Sequence, residues 1–489
     1  MFVHIFHSDF DWSDYKIIGN TYYISADYEY PKIINIKHID KAYDAGSQLF
    51  VVDIPIDYPD FFMDKENIYY YPNIFIVKEK YSLYDKSTYT KLNLNIKDNH
   101  CIMNHASMDG NIDFLQKCLD DNLNLSYSES AINWASDCGQ KETLEWWFKS
   151  GLPLLYTELA IDGASENGHI NILDMWLASG LPLKYTHKSM DLNMFNPDTK
   201  ILVLNWWLES GLDLKYTENA LNNAVMMNEV KILDWWVKSG LPLKYDINTI
   251  NYAIQYCNTQ VLDWWLNSGL EFNYDEEGID DLPLISGLES ETITIEMLEW
   301  WLESGLEIKY SEKLIDLTSN YGDIEVLNWW KKSNLTWKYS SNALDKLIIN
   351  SMAYIKCDEC NNMELIEWWI SSDLEIKYTN MFIDNLSIYG RIDILKWLHE
   401  QNFIFKYSNK AMDETNCVDT LNWWKNSGYS LKYTDESIHN ALIRGNVNVL
   451  NWWLSSDLKI LYPQQIEMKK YPKKSIDWCK SSGLSFDFI

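Results

Sequence analysis

Ser165-Glu166-Asn167-Gly168-His169-Ile170-Asn171-Ile172-Leu173-Asp174-Met175-Trp176-Leu177-Ala178-Ser179-Gly180 is the stretch whose reading decides the fold. Ile172, Leu173, Trp176 and Leu177 recur at the three- and four-residue spacing of one buried helix face. The helix opens at His169-Ile170 and closes at Ser179-Gly180, because glycine enters the left-handed C-cap conformation at little cost. Upstream, Asn167-Gly168 reads as a turn. Before that turn a shorter helix starts from Thr157, whose hydroxyl can accept from the free N–H groups of the first turn, and Leu159, Ile161 and Ala164 form its apolar side. Downstream, Leu181-Pro182-Leu183-Lys184-Tyr185 crosses to Thr186, the next cap. The unit is helix, turn, helix, short connector.

The same unit fills most of the chain. With the second position of the Trp-Trp pair as a ruler, thirteen units fall at Cys118, Trp147, Trp176, Trp207, Trp236, Trp265, Trp301, Trp330, Trp369, Leu398, Trp424, Trp453 and Cys479, and seven of the twelve spacings are 29 residues. An aromatic residue stands nine positions after the ruler every time, from Tyr127 through Tyr462 to Phe488. Ser, Thr or Asp usually follows it, as an N-cap requires. Length changes fall between cap and Trp pair, so the insertions near 276–293 and 348–361 are expected to bulge from the turn between helices. Both members of each pair are expected in the core of the second helix. The repeat-core residues are Trp147, Trp176, Trp207, Trp236, Trp265, Trp301, Trp330, Trp369, Trp424 and Trp453.

This unit resembles the second half of an ankyrin repeat, with the Gly168-His169 turn, paired β-branched or leucine positions and a closing glycine. Trp-Trp occupies the first two positions of the family's Leu-Leu-Leu run. The period is shorter than the family's usual 33 residues, and Leu159-Ala160-Ile161-Asp162 replaces its Thr-Pro-Leu-His tetrad. The Leu-Lys-Tyr-Thr connectors and Trp-Trp pairs resemble those of diverged ankyrin-repeat proteins of amoeba-infecting, mimivirus-like giant DNA viruses. The resemblance implies a mainly α, ankyrin-like helical solenoid that binds a partner protein, plausibly a host protein, on a concave face.

Ahead of the array, Tyr22-Tyr23-Ile24-Ser25, the run from Gln48 to Pro55, and Asn73-Ile74-Phe75-Ile76-Val77 predict a small β-rich domain over 1–80. Residues 81–98 read as a half-repeat cap, since Tyr89 lies 29 residues before Cys118, and the array proper runs over 99–489.

Charge narrows the function. The net charge of -30 is spread along the chain, with -6 in residues 1–80 and -24 in the rest. That argues against nucleic acid and against an anionic membrane, both of which need clustered Lys and Arg, and it favours a partner with a basic patch. Met1–His7 lacks a basic start and meets Asp9 and Asp11, a poor signal peptide. No run approaches the ~18 apolar residues of a membrane span, so a cytoplasmic monomer is expected.

Eight cysteines, mostly isolated, read as reduced thiols. Cys357-Asp358-Glu359-Cys360 has no second ligand pair for zinc. Lys469-Lys470-Tyr471-Pro472-Lys473-Lys474 is the basic run, read as a solubilising cap. No catalytic motif assembles, and no cofactor or metal is expected. The expected function is a non-catalytic interaction scaffold. The alternatives are an array that selects targets for an active or ligase-recruiting N-terminal module, and a structural virion component.

Overall fold

The computed structural model describes residues 1–7, 12–13, 15–24, 30–55, 62–64, 68–283, 291–348 and 362–488. They form two compact units, Met1–Tyr245 and Asp246–Ile489. The fold is a mainly α, ankyrin-like repeat solenoid with an antiparallel sheet at its N-terminal end.

The first unit opens on eight strands: β1 (Phe2–Phe6), β2 (Tyr15–Ile18), β3 (Thr21–Ile24), β4 (Ile33–Asn35), β5 (Gln48–Asp53), β6 (Phe62–Met63), β7 (Tyr69–Tyr71) and β8 (Ile74–Ser82). They pair antiparallel in the order β2-β3-β8-β5-β1-β4-β7-β6. The apolar run Phe2–Phe6 is an inner strand, its residues 3–6 all buried. Such continuous burial explains why it lacks the polar alternation of a strand with one wet face. Phe6, Tyr22, Phe50 and Phe75 fill one face of the sheet. The sheet is tied to the first repeat helix, Ile102–Met108, and to Asp109 just beyond it. Ser47 and Tyr84 both donate to the Asp109 carboxylate, at 2.9 and 2.6 Å. The His105 ring meets the Tyr43 carbonyl at 2.9 Å.

Most of the described repeats then follow the sequence reading. In the Trp176 unit the first helix is Leu159–Glu166 and the second Ile170–Ala178. Two residues placed on the apolar side differ: Leu159 is 55% exposed and Leu177 40%. Leu159 lies two positions from buried Ile161, about 200° around the helix, and Leu177 lies about 100° from Trp176. The Trp207 unit keeps only a 3-10 turn, His187–Ser189, before a long second helix, Pro197–Glu209.

In the second unit of the chain the repeats continue from Ile247–Gln255. The bulge expected over 276–293 is corrected in part. Glu276–Asp280 is the first helix of its repeat, and Glu291–Ser304 is a lengthened second helix. Residues 284–290 and 349–361, the latter containing Cys357 and Cys360, lie outside the described residues. In the last repeat the second helix, Lys473–Ser481, is present. A two-stranded parallel ladder, Gln465–Ile466 with Asp487–Phe488, stands beside it.

Candidate functional site

Three sets of side chains build the scaffold, and the surface they leave over is the candidate site. The first set is the tryptophans. Trp147, Trp176, Trp207, Trp236, Trp265, Trp301, Trp330, Trp369, Trp424 and Trp453 are at most 1% exposed. Five of their indole N–H groups donate to a serine in the first helix of the preceding repeat: Ser107, Ser136, Ser165, Ser319 and Ser387.

The other member of each pair behaves differently. Trp146, Trp206, Trp235, Trp300 and Trp368 are half-buried, and the rings of a pair stand edge to face, as in Trp206–Trp207 at 86°. Their N–H groups bond Gln116, Asp174, Asn205, Asp263 and Asn328 of the preceding second helix. The expectation that both members are core is thereby corrected for these five pairs, whereas Trp452, 8% exposed beside Trp453, is buried as expected. Consecutive helical residues point about 100° apart, so one ring enters the core and its neighbour lies in the seam between second helices.

The second set joins successive first helices. Asp162 is 2% exposed. It accepts from both the main-chain N–H and the hydroxyl of Thr186, at 2.9 and 2.6 Å. Asp191, Asp280, Asp316, Asp345, Asp384 and Asp413 do the same for Thr217, Ser311, Ser340, Thr379, Ser408 and Thr434. Where the cap is Asp275, the partner is Asn251, whose amide donates at 2.7 Å. Asparagine avoids setting two buried carboxylates against each other.

The third set joins connectors. Lys184 stands 4.5 Å over the Tyr156 ring and donates to the Tyr156 carbonyl at 2.9 Å. Tyr156 in turn donates its hydroxyl to Pro182. Further Lys–Tyr pairs repeat this from Lys215 over Tyr185 to Lys432 over Tyr407.

One cavity, of about 310 Å³, opens between the first helices Ser130–Asp137 and Leu159–Glu166. Its walls include Glu129, Trp134, Asp137, Leu159, Gly163 and Glu166, with Lys188 at one side. Register explains the opening. His105, Trp134 and Gly163 occupy the same place in three consecutive units. The Trp134 ring stacks on His105 at 5.6 Å and 28°, while Gly163 brings no side chain to cover it from the following unit. A Cβ at Gly163 would lie 2.3 Å from the Asp137 Oδ1.

Burial raises the pKa of Asp137, eased by His169 and by the Asn167 amide, which donates to Oδ1 at 3.0 Å. Burial likewise raises Glu166, eased by Lys188, and raises Asp162, eased by its bonds to Thr186. Asp162 is buried, Asp137 half-buried and Glu166 at the exposed rim, and an aromatic face lies beside them. Such a pocket suits an incoming cation.

Apart from Leu159, read as an apolar-face residue, none of these lining residues stood out in the sequence. Trp134 lies off the repeat consensus, and its signal emerges only when His105, Trp134 and Gly163 are aligned by register. Among the described residues no group of three or more His, Cys, Asp or Glu could hold a metal ion, and no helix is long and apolar enough to cross a membrane.

No family model matches the chain. It is 40% identical over 83 residues to the uncharacterized protein L696 of Acanthamoeba polyphaga mimivirus, a match over 17% of this chain and 26% of that protein. The chain therefore spans about a quarter of the length of that relative. Among solved structures it is similar to the human ASB11 ankyrin repeat domain, at 13% identity and a TM-score of 0.31 over 41% of this chain and 97% of that one. It is also similar to the pentatricopeptide repeat protein PPR10 in complex with an 18-nt psaJ RNA element, at 13% identity and a TM-score of 0.36 over 80% of this chain and 65% of that one.

Proposed function

We propose that the chain is a non-catalytic protein-binding scaffold whose first-helix groove at Trp134 receives a basic side chain of a partner protein. The observation that carries this is the groove itself: Glu129, Asp137 and Glu166 around an indole stacked on one side by His105. A guanidinium or ammonium entering it would meet the face of Trp134 and replace water around carboxylates that burial already penalises. The -30 charge of the chain would speed the approach of a basic partner and make association sensitive to salt.

The likeness to a mimivirus protein supports a host protein as partner. In this reading residues 1–80, 81–98 and 99–489 are the sheet domain, its half-repeat cap and the binding array, and the protein acts in the cytoplasm as a monomer without cofactor.

The test is capture from an amoebal lysate with the full chain and with a Glu129→Lys/Glu166→Lys double variant, both positions being exposed. A protein retained by the wild type, lost by the double variant and released at about 0.5 M salt fits the proposal. Capture indifferent to the charge reversal sinks it.

A further inference from the structure

We propose that a pocket at the helix turn of the Trp453 repeat, framed by Asn416, Arg444, Gly445, Asn446, Asn448 and Lys474, is a binding site for a phosphoryl group. The cavity measures about 530 Å³, and its lining carries two cations and three side-chain amides but no carboxylate. That is unusual in a chain of net charge -30.

Arg444 is oriented without being neutralised, and Lys474 lies across the same turn. Arg444 ends the helix Glu436–Arg444. Its Nη1 donates to the Glu414 carbonyl and, at 3.3 Å, to the Asn416 Oδ1. These are neutral acceptors, so the guanidinium is oriented while its charge, its Nε and its Nη2 stay available. Lys474 belongs to the next second helix, Lys473–Ser481, and its stem crosses directly over Gly445. A Cβ at Gly445 would lie 2.2 Å from the Lys474 Cε, and the Gly445 φ of +65° is itself a conformation that favours glycine. Neither Arg444 nor Lys474 forms an ion pair among the described residues.

The floor adds neutral donors. Asn446 caps the helix Val447–Ser455 by accepting from the Val449 N–H, and its amide donates to the Asn416 carbonyl at 2.9 Å. The Asn448 side chain completes the lining. A planar guanidinium fork, a point-charge ammonium and amide donors around an open cavity match the several oxygens and double charge of a phosphoryl group. A lone carboxylate would engage only part of the set. Stability gives no reason for the arrangement, because two like charges converging on one pocket repel.

The site is independent of the Trp134 groove, and its test is separate. The full chain is titrated calorimetrically, at constant ionic strength, with inorganic phosphate, with a phosphoserine peptide and with the same peptide carrying glutamate. Binding of the phosphoryl titrants, weakened about tenfold in both Arg444→Gln and Lys474→Gln, is the expected result. Lys470→Gln, which removes a lysine paired with Glu467 outside the pocket, should leave it unchanged. Equal binding of phosphate and phosphopeptide identifies a free anion as the ligand, and a much tighter phosphopeptide identifies a phosphorylated partner. Either result supports phosphoryl recognition. Absence of binding, binding indifferent to both pocket variants, or a glutamate peptide as good as the phosphopeptide overturns the proposal. Both varied side chains are exposed, and thermal melts of the variants show whether the fold is intact.

Discussion

The N-terminal sheet and the repeats are both rich in aromatic residues, yet they use them in opposite ways. In the sheet, Phe6, Trp12, Tyr22, Phe50 and Phe75 converge on one cluster assembled from distant strands, and no two play the same part. In the repeats one arrangement recurs, with a buried indole, in five cases a serine acceptor one unit back, and a tyrosine-lysine connector. A cluster of the first kind should fail as a whole. An array of nearest-neighbour contacts should fail locally, unit by unit.

The largest expected effect tests that contrast directly. Trp176→Ala removes a side chain only 1% exposed and should cost about 3–5 kcal/mol. Hydrogen exchange should rise in 130–178 while the sheet over 33–54 keeps its protection. Rising exchange throughout the sheet as well would mean that the two regions melt as one, and the contrast would be lost.

Acid should separate the regions by sign. His4 is 5% exposed on an inner strand, and burial pulls its pKa down from 6.5 to about 4 against the opposing bond to the Lys32 carbonyl. A histidine depressed in the folded state binds fewer protons folded than unfolded, so stability is lost as pH falls from about 6.5 towards 4. At pH 5 the loss is about 2 kcal/mol relative to pH 7. The ladder carboxylates Asp162, Asp280 and Asp316 shift the other way, raised first by burial. They bind more protons folded, so acid in the window above their ordinary pKa favours the array. Exchange corrected for its intrinsic pH dependence should therefore show the sheet loosening at pH 5 while the repeats beyond Ile102–Met108, whose buried His105 is likewise pulled down by burial, hold. A His4→Gln variant should remove that difference.

The same contrast explains what the sequence could disclose. The repeats are legible because one motif returns thirteen times with the ruler in register. The sheet shows itself in Gln48–Asp53 and in the start of Ile74–Ser82. Phe2–Phe6 is hidden because a short apolar run at a chain start has no partner in view, and its pairing with Ile33–Asn35 and Gln48–Asp53 is non-local. The candidate sites were harder still. Trp134 gains meaning from its neighbours in register, His105 and Gly163, and Lys474 of the visible basic run acquires Arg444 only through the fold. The unlike roles of most paired tryptophans were within reach, because neighbours on a helix point about 100° apart and one of the two lies nearer the edge of the buried face.

A smaller effect sharpens the picture of the buried indoles. Ser165→Ala leaves the Trp207 N–H without its acceptor, now 3.1 Å away, and should cost about 1–2 kcal/mol, within the range for orphaning a buried donor. The array already tolerates that situation elsewhere. The Trp301 and Trp330 N–H groups have no acceptor among the described residues, and Ile254 and Pro283 stand at the register position serine would occupy. The losses of Ser165→Ala and of Trp207→Phe, which also leaves a cavity in the core, should be less than additive in the double variant, since each single change already breaks the bond. Fully additive losses would show that the bond contributes nothing.

The smallest effect belongs to the seam. Trp206 is half-buried and donates to the exposed Asp174 at 2.8 Å. Trp206→Phe keeps an aromatic ring against the Trp207 edge, removes the N–H bond, which water can replace on both sides, and gives up a small part of the half-buried ring surface. The expected cost is at most about 1 kcal/mol, well below that of any change at Trp176 or Trp207. If the seam ring merely staples adjacent second helices, urea melts of Trp206→Phe and of Asp174→Ala should shift by similar small amounts, and the double variant should shift little further. A loss from Trp206→Phe as large as that from Trp176→Ala would place the seam indole in the core after all. The division of each pair into an inner and an outer ring would then be wrong.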